Sequence, residues 1–289
     1  MKYIHFDSAG TLAGLAAMLE CFGHDIEDRQ IAFGMEAPWL FLKNDCQFVA
    51  GQGLYKPRWL NLYLLPRGFR LCESLIPKEN VPLFLQQHCP SMLKIRIDRN
   101  ICHPVVCTGY AKSRYQITNV KTADSHEPDH LSLSQPMLLR RIEDNVRILT
   151  LEQCSPEAVD FTPLLVQSLQ TLAEYEHALL ETCTRAISRE DFNALRSPLL
   201  RALFVDMLPM IKLLNQPILL EELRLLNHDY RHTFTRNSPE TVNLWEHLPR
   251  TSIRKCIKWL MENVEDRLYE HGMTDEQAAA LRKHIEYRR

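Results

Sequence analysis

The chain has 289 residues, 45% hydrophobic and 24% charged, with a formal net charge of −2. That is ordinary globular composition, long enough for about two domains. Cations and carboxylates balance in both halves, 17 against 16 over residues 1–155 and 17 against 20 over 156–289, which argues against a nucleic-acid surface. No uncharged run reaches the ~18 residues of a membrane span, and Asp7 interrupts the N-terminus before any secretory core. Nine scattered cysteines without a C-x-x-C pair read as free thiols of a reducing cytoplasm, with neither a disulfide frame nor a zinc site.

Glycine is unevenly spread. Eight of the nine lie at or before Gly109, and the last 134 residues contain only Gly272. Since glycine serves turns and close backbone approaches and weakens helices, this predicts a turn-rich first half and a helical second half. In chain order, Gly10 to Phe22 reads as a helix with Leu12, Leu15, Met18 and Leu19 on one face and Gly23 as its stop. Asp25 to Phe33 reads as a short second helix closed by Gly34, and Met35 to Gly53 as loop with strand pieces. Helices over Pro57–Pro66 and Glu79–His88 follow.

The period then changes to two. Met92 to Ile97 alternates apolar and charged residues, and Pro104–Tyr110 with Arg114–Val120 form a hairpin turned at Ala111-Lys112-Ser113. Val146–Leu151 is a closing strand. Beyond Ser155-Pro156 the pattern is helical, with capping boxes at Ser188/Asp191 and Thr274/Gln277 and an N-cap at Ser238-Pro239. The expectation is α+β, with one domain over residues 1–155 and an all-α domain over 156–289.

The segment richest in chemistry is Ile101-Cys102-His103-Pro104-Val105-Val106-Cys107-Thr108-Gly109-Tyr110, followed by Tyr115-Gln116-Ile117-Thr118-Asn119. Neighbouring strands bring His103 and Asn119 side by side, so the amide can orient the imidazole, the base-and-orienter half of a nucleophile–His–Asn triad. A strand-borne histidine is also a common structural residue. A triad further needs a nucleophile at a helix start, where amide N–H groups stabilise negative charge. Asp7-Ser8-Ala9-Gly10-Thr11 offers that place through Ser8.

On these residues the first 120 positions resemble the papain-like bacteriocin-leader (double-glycine) peptidases. They are more similar still to the N-terminal domain of the butirosin-biosynthesis acyltransferase family. Phe22-Gly23 resembles the aromatic-Gly pair that closes the nucleophile helix in those families, Asp25–Gly34 resembles the acyltransferases' next segment, and His103–Tyr110 their histidine strand. The resemblance implies a papain-like domain followed by a helical one, with acyl chemistry through a covalent intermediate. Ser8, or a cysteine in its place, would be the nucleophile, His103 the base and Asn119 its orienter. It implies no cofactor and no metal, an acyl carrier protein or a peptide-like substrate as partner, room for a homo-oligomer, and a place in natural-product biosynthesis. The chain departs from the pattern at one point. Thirteen residues before Gly23 stands Gly10, which has no side chain to attack with, and Ser8 lies two residues earlier. Residues 1–7 also lack the oxyanion-hole glutamine of the peptidases. An active serine and an inactive site that binds a peptide or carrier protein both stay open.

Other candidates have plainer readings. Cys21, Cys102 and Cys107 read as packing thiols. Glu174-x-x-His177 and Asp229-x-x-His232, with Glu181 and Glu222, have the acid-to-histidine spacing of di-iron bundles, so a helical metal-dependent oxidase is an alternative, although such spacing arises often on wet helix faces. His126 and His130 read as part of a solvated loop, and Phe204, Met207, Met210, Trp245 and Trp259 as core or helix-interface residues.

Overall fold

A computed structural model describes residues 10–98, 101–119 and 130–288. In chain order the elements are helices α1 (Gly10–Glu20) and α2 (Asp28–Gly34), strands β1 (Phe41–Asn44) and β2 (Gln47–Ala50), α3 (Pro57–Leu64), β3 (Phe69–Pro77), α4 (Val81–Gln87), β4 (Ser91–Asp98), β5 (Ile101–Ala111), β6 (Arg114–Asn119), β7 (His130–Ser134), α5 (Gln135–Arg141) and β8 (Asn145–Gln153). Then come α6 (Thr162–Thr182), β9 (Ala186–Ser188), α7 (Arg189–Leu195), α8 (Leu208–Leu213), α9 (Pro217–His232), β10 (Thr241–Asn243), α10 (Leu244–His247), α11 (Arg250–Glu270) and α12 (Asp275–Arg288). The chain is α+β. Among the described residues no helix is long and apolar enough to cross a membrane.

Two compact units emerge, one of residues 1–35 with 55–159, the other of 36–54 with 160–289. In the first unit, β3-β8-β4-β5-β6-β7 make one antiparallel sheet. Leu93, Ile95, Val105, Cys107, Ile117 and Ile148 line one side of it and pack with Val81 and Leu85 of α4 and Leu138 of α5. Tyr115 is fully buried there because its hydroxyl accepts from Gln86 (2.9 Å) and donates to the Pro82 carbonyl (3.1 Å), partners that a buried phenol needs. The edge strands β3 and β7 are additions to the sequence expectation. β3 carries polar residues and ends in Pro77, which an edge strand tolerates.

The second unit differs from the expected all-α domain. It contains the β9/β10 pair and takes the β1/β2 hairpin from the first half of the chain. Tertiary contacts explain this. Phe41 and Phe48 pack on Tyr175 of α6 at ring distances of 4.7 and 5.0 Å. Ser168 accepts from the Phe41 N–H and donates to the Trp39 carbonyl, both at 2.7 Å. Glu36, in the left-handed region at φ 59°, accepts two hydrogen bonds from the Arg267 guanidinium of α11 at 2.6 and 2.5 Å. The same guanidinium lies over the Trp39 ring at 4.6 Å. At the end of the excursion a Cβ on Gly51 would come within 2.0 Å of the Asp206 carbonyl oxygen, and its φ is +47°, so glycine is required there.

The capping boxes at Ser188/Asp191 and Thr274/Gln277 are present. Ser238 is a correction: its hydroxyl accepts from the Thr235 N–H (2.7 Å) and closes a turn, and no helix begins at Pro239. Trp245 is also corrected, at 51% exposed, whereas Phe204, Met207 and Met210 are core as expected.

Removing Arg267 leaves the Glu36 carboxylate buried without its bidentate partner. Arg267→Met is therefore expected to cost about 3–5 kcal/mol in urea unfolding, and a loss below about 1 kcal/mol would mean that water replaces the guanidinium.

Candidate functional site

The site is built on the β5/β6 hairpin and on α1. Lys112 and Ser113 are both left-handed (φ 50° and 61°), and Ala111 pairs with Arg114, so the loop is the two-residue turn whose twist suits a hairpin. From there the register runs back, past a bulge between Cys107 and Gly109, to Val105 opposite Asn119. On the other edge of β5, His103 pairs with Ile95. Because side chains alternate along a strand, His103, Val105 and Asn119 share one side of the sheet, with His103 and Asn119 on a diagonal that longer side chains span. Asn119 is fully buried and His103 half-buried.

Helix α1 lies against the other row. Its small residues Gly10, Ala13, Gly14 and Ala17 recur at helical spacing, and every residue from Leu12 to Leu19 is buried. A Cβ on Gly10 would sit 2.2 Å from Pro104 Cγ, and one on Gly14 would sit 2.5 Å from Met92 Sδ. The first turn of α1 therefore rests on the residue next to His103. Pro104 and His103 point to opposite sides of β5, so α1 and the imidazole lie on opposite faces of the sheet. Position 10, where the family resemblance places the nucleophile, has no space for a side chain because the proline ring fills it.

Beside the first turn of α1 opens a cavity of about 490 Å³, bordered by Thr11, Met92, Lys94, Arg96, Cys102 and Pro104 among others. Further along its wall, Arg147 is held by Glu73 at 3.1 Å. The alternation noted in β4 explains the rim: Met92, Lys94 and Arg96 are successive residues of the row that faces this groove. Lys94 and Arg96 are exposed.

Of the proposed site residues, Ser8 lies outside the described residues, as does His126. His130 opens β7 opposite Thr118. Two thiols differ from their expected packing role: Cys21, whose Sγ donates to the Ala17 carbonyl (3.4 Å), and Cys102 are exposed. Cys107 is buried. Its sulfur shares a 3.6 Å hydrogen bond with Cys89, and that contact together with burial holds its pKa far above the usual thiol range. Burial likewise pushes Cys183 up to about 11 and Cys256 up to about 12.

Among the described residues no group of three or more His, Cys, Asp or Glu side chains is arranged to hold a metal. Glu174 pairs with Lys43 at 3.1 Å and Glu222 with Lys255 at 3.5 Å. The ring of His232 packs on that of His228 at 4.5 Å. These are the partners of a wet helix face. No protein-family model matches the sequence, and no curated protein matches it either.

Two outcomes follow from this geometry. Gly10→Ala should destabilise the protein by about 1–3 kcal/mol through overpacking, although alanine ordinarily favours a helix. Adding Pro104→Ala should recover most of the loss in thermal unfolding, whereas an additive double variant would show that the ring is not the obstacle. Iodoacetamide at pH 8 should label Cys21, Cys46 and Cys102 in the native protein. Cys183 and Cys256, almost entirely protonated at that pH, should react only after denaturant is added, and mass spectrometry of the digested protein reads the difference.

Proposed function

We propose that the first unit is a papain-like acyl-transfer domain acting through Ser8, His103 and Asn119. What supports this reading is that α1 packs on Pro104, the neighbour of His103 in β5, and that a buried asparagine lies on the histidine's own side of the sheet. In this scheme the Ser8 hydroxyl attacks a thioester or amide carbonyl and His103 takes its proton. Asn119 holds the imidazole in the required orientation. The first backbone N–H groups and positive dipole end of α1 stabilise the tetrahedral oxyanion. The leaving thiol or amine departs with the proton from His103, and the serine ester is then resolved by an amine acceptor or by water. The exposed Lys94 and Arg96 at the rim suit an acidic donor such as an acyl carrier protein, and with that donor the reaction would be a tailoring step of natural-product biosynthesis.

A second reading is favoured by one observation, the proline ring that occupies the space at Gly10. In it the unit keeps the papain-like frame and the groove, binds a peptide or a carrier protein, and carries out no chemistry.

Intact-mass measurement after incubation with a fluorophosphonate or an acyl N-acetylcysteamine thioester separates the two. The acyl-transfer reading expects one adduct, absent in Ser8→Ala and formed at least 100-fold more slowly in His103→Ala, the scale on which general-base catalysis contributes. Absence of an adduct selects the binding scaffold, and an adduct that persists in Ser8→Ala overturns the assignment of Ser8 as the nucleophile.

A further inference from the structure

We propose that the second unit carries a binding pocket for a small organic phosphate monoester, walled by Arg196, Arg201 and Arg231. The pocket has a volume of about 510 Å³, and besides the three arginines its wall includes Ser197, Val205 and Tyr230 and no carboxylate. It lies wholly within that unit and does not depend on the acyl chemistry of the first.

The backbone explains how the arginines converge. Residues Arg196–Leu200 and Ala202–Asp206 form two successive π-helical turns. The Arg201 N–H donates to the Arg196 carbonyl, and the Met207 N–H to that of Ala202. In an α-helix, residues five apart point about 140° away from each other, at 3.6 residues per turn. The wider turn instead closes a hydrogen bond between them and brings Arg196 and Arg201 to one side. Single π turns of this kind recur at functional sites. From α9, Arg231 supplies the third guanidinium.

Two of the arginines are pre-set through Nε alone. Arg196 Nε donates to the Tyr230 hydroxyl at 2.8 Å, and Arg201 Nε to the buried Asp206 carboxylate at 3.1 and 3.3 Å. Their terminal nitrogens are left for a ligand, in the planar fork that matches phosphate oxygens. Arg231 makes no ion pair or hydrogen bond among the described residues. With Asp206 balancing one charge, two positive charges remain, which equals the charge of a phosphate monoester above its second pKa of about 6. The volume lies in the ~300–1,000 Å³ range of small-molecule sites. That exceeds the needs of a bare phosphate, so Val205 and the apolar stems of the arginines are left to meet an organic body.

Isothermal titration of the full chain with phenyl phosphate at pH 8, with phenol and inorganic phosphate as controls, tests the assignment. Phenyl phosphate should bind at least tenfold more tightly than inorganic phosphate, and phenol should not bind. Arg201→Gln and Arg231→Gln should each weaken binding at least tenfold while circular dichroism shows a folded chain, and Arg231→Lys should restore part of the loss. Binding should weaken between pH 8 and pH 5, as the phosphate loses its second charge while the arginines keep theirs. Absence of binding, undiminished binding in the Arg201→Gln/Arg231→Gln double variant, or sedimentation with phosphatidic-acid vesicles without phenyl phosphate binding would each overturn the proposal.

Discussion

A missing Cβ sets the geometry of the first unit. With hydrogen alone on Gly10 and Gly14, α1 settles directly onto Pro104 and Met92, at separations of 2.2 and 2.5 Å from where a Cβ would stand. Any side chain at residue 10 would lift the helix from β5, and the close packing of a protein interior leaves little room to absorb that. The contact therefore has two consequences that pull in opposite directions. It sets the first turn of α1 against the strand that carries His103, and it leaves no side chain at the position where the resemblance would put a nucleophile. Chemistry, if residue 8 supplies it, comes from a serine displaced by two residues.

The parts of the fold legible in the sequence are those governed by local period. α1 shows in its helical repeat and its Gly23 stop, β4 and β6 in their alternation, and β5 in its apolar, β-branched run, with β8 as the closing strand. The sequence shows that His103 and Asn119 lie on neighbouring strands, whereas their register comes from the two-residue turn and the bulge between Cys107 and Gly109, which only the structure shows. What was not legible depends on distant partners. β1 and β2 read as loop fragments because their stability comes from Tyr175, Ser168 and Arg267, more than a hundred residues later in the chain. β3 and β7 have the mixed composition of edge strands. Cys21 and Cys102 are exposed because they sit at element ends, where the strength of the residue-type preference for burial fades.

The second unit shows the same dependence in a functional setting. Arg196, Arg201 and Arg231 lie in two separate stretches without any motif to link them. Two widened turns and a tyrosine hydroxyl do so in space. Asp206 serves twice, through its carbonyl beside Gly51 and its carboxylate on Arg201. The turn that receives the excursion from the first half of the chain is thus also the turn that aims an arginine. By contrast, the acid-to-histidine spacings at Glu174 and Asp229, which did resemble a motif, form no group of metal ligands among the described residues, and Glu174 and Glu222 pair with Lys43 and Lys255 instead. Spacing along a helix defines a face, but chemistry requires several faces to meet, and here they do not.

Whether Ser8 and His103 act together is read from the distance between them in a crystal structure of the full chain. Acyl transfer through this pair requires Ser8 Oγ within about 2.6–3.2 Å of an imidazole nitrogen of His103, the reach of a proton transfer, with the other nitrogen turned toward Asn119. A serine held on the Pro104 side of β5, separated from the ring by more than about 6 Å, twice the hydrogen-bond reach, would contradict it and leave a binding scaffold in its place.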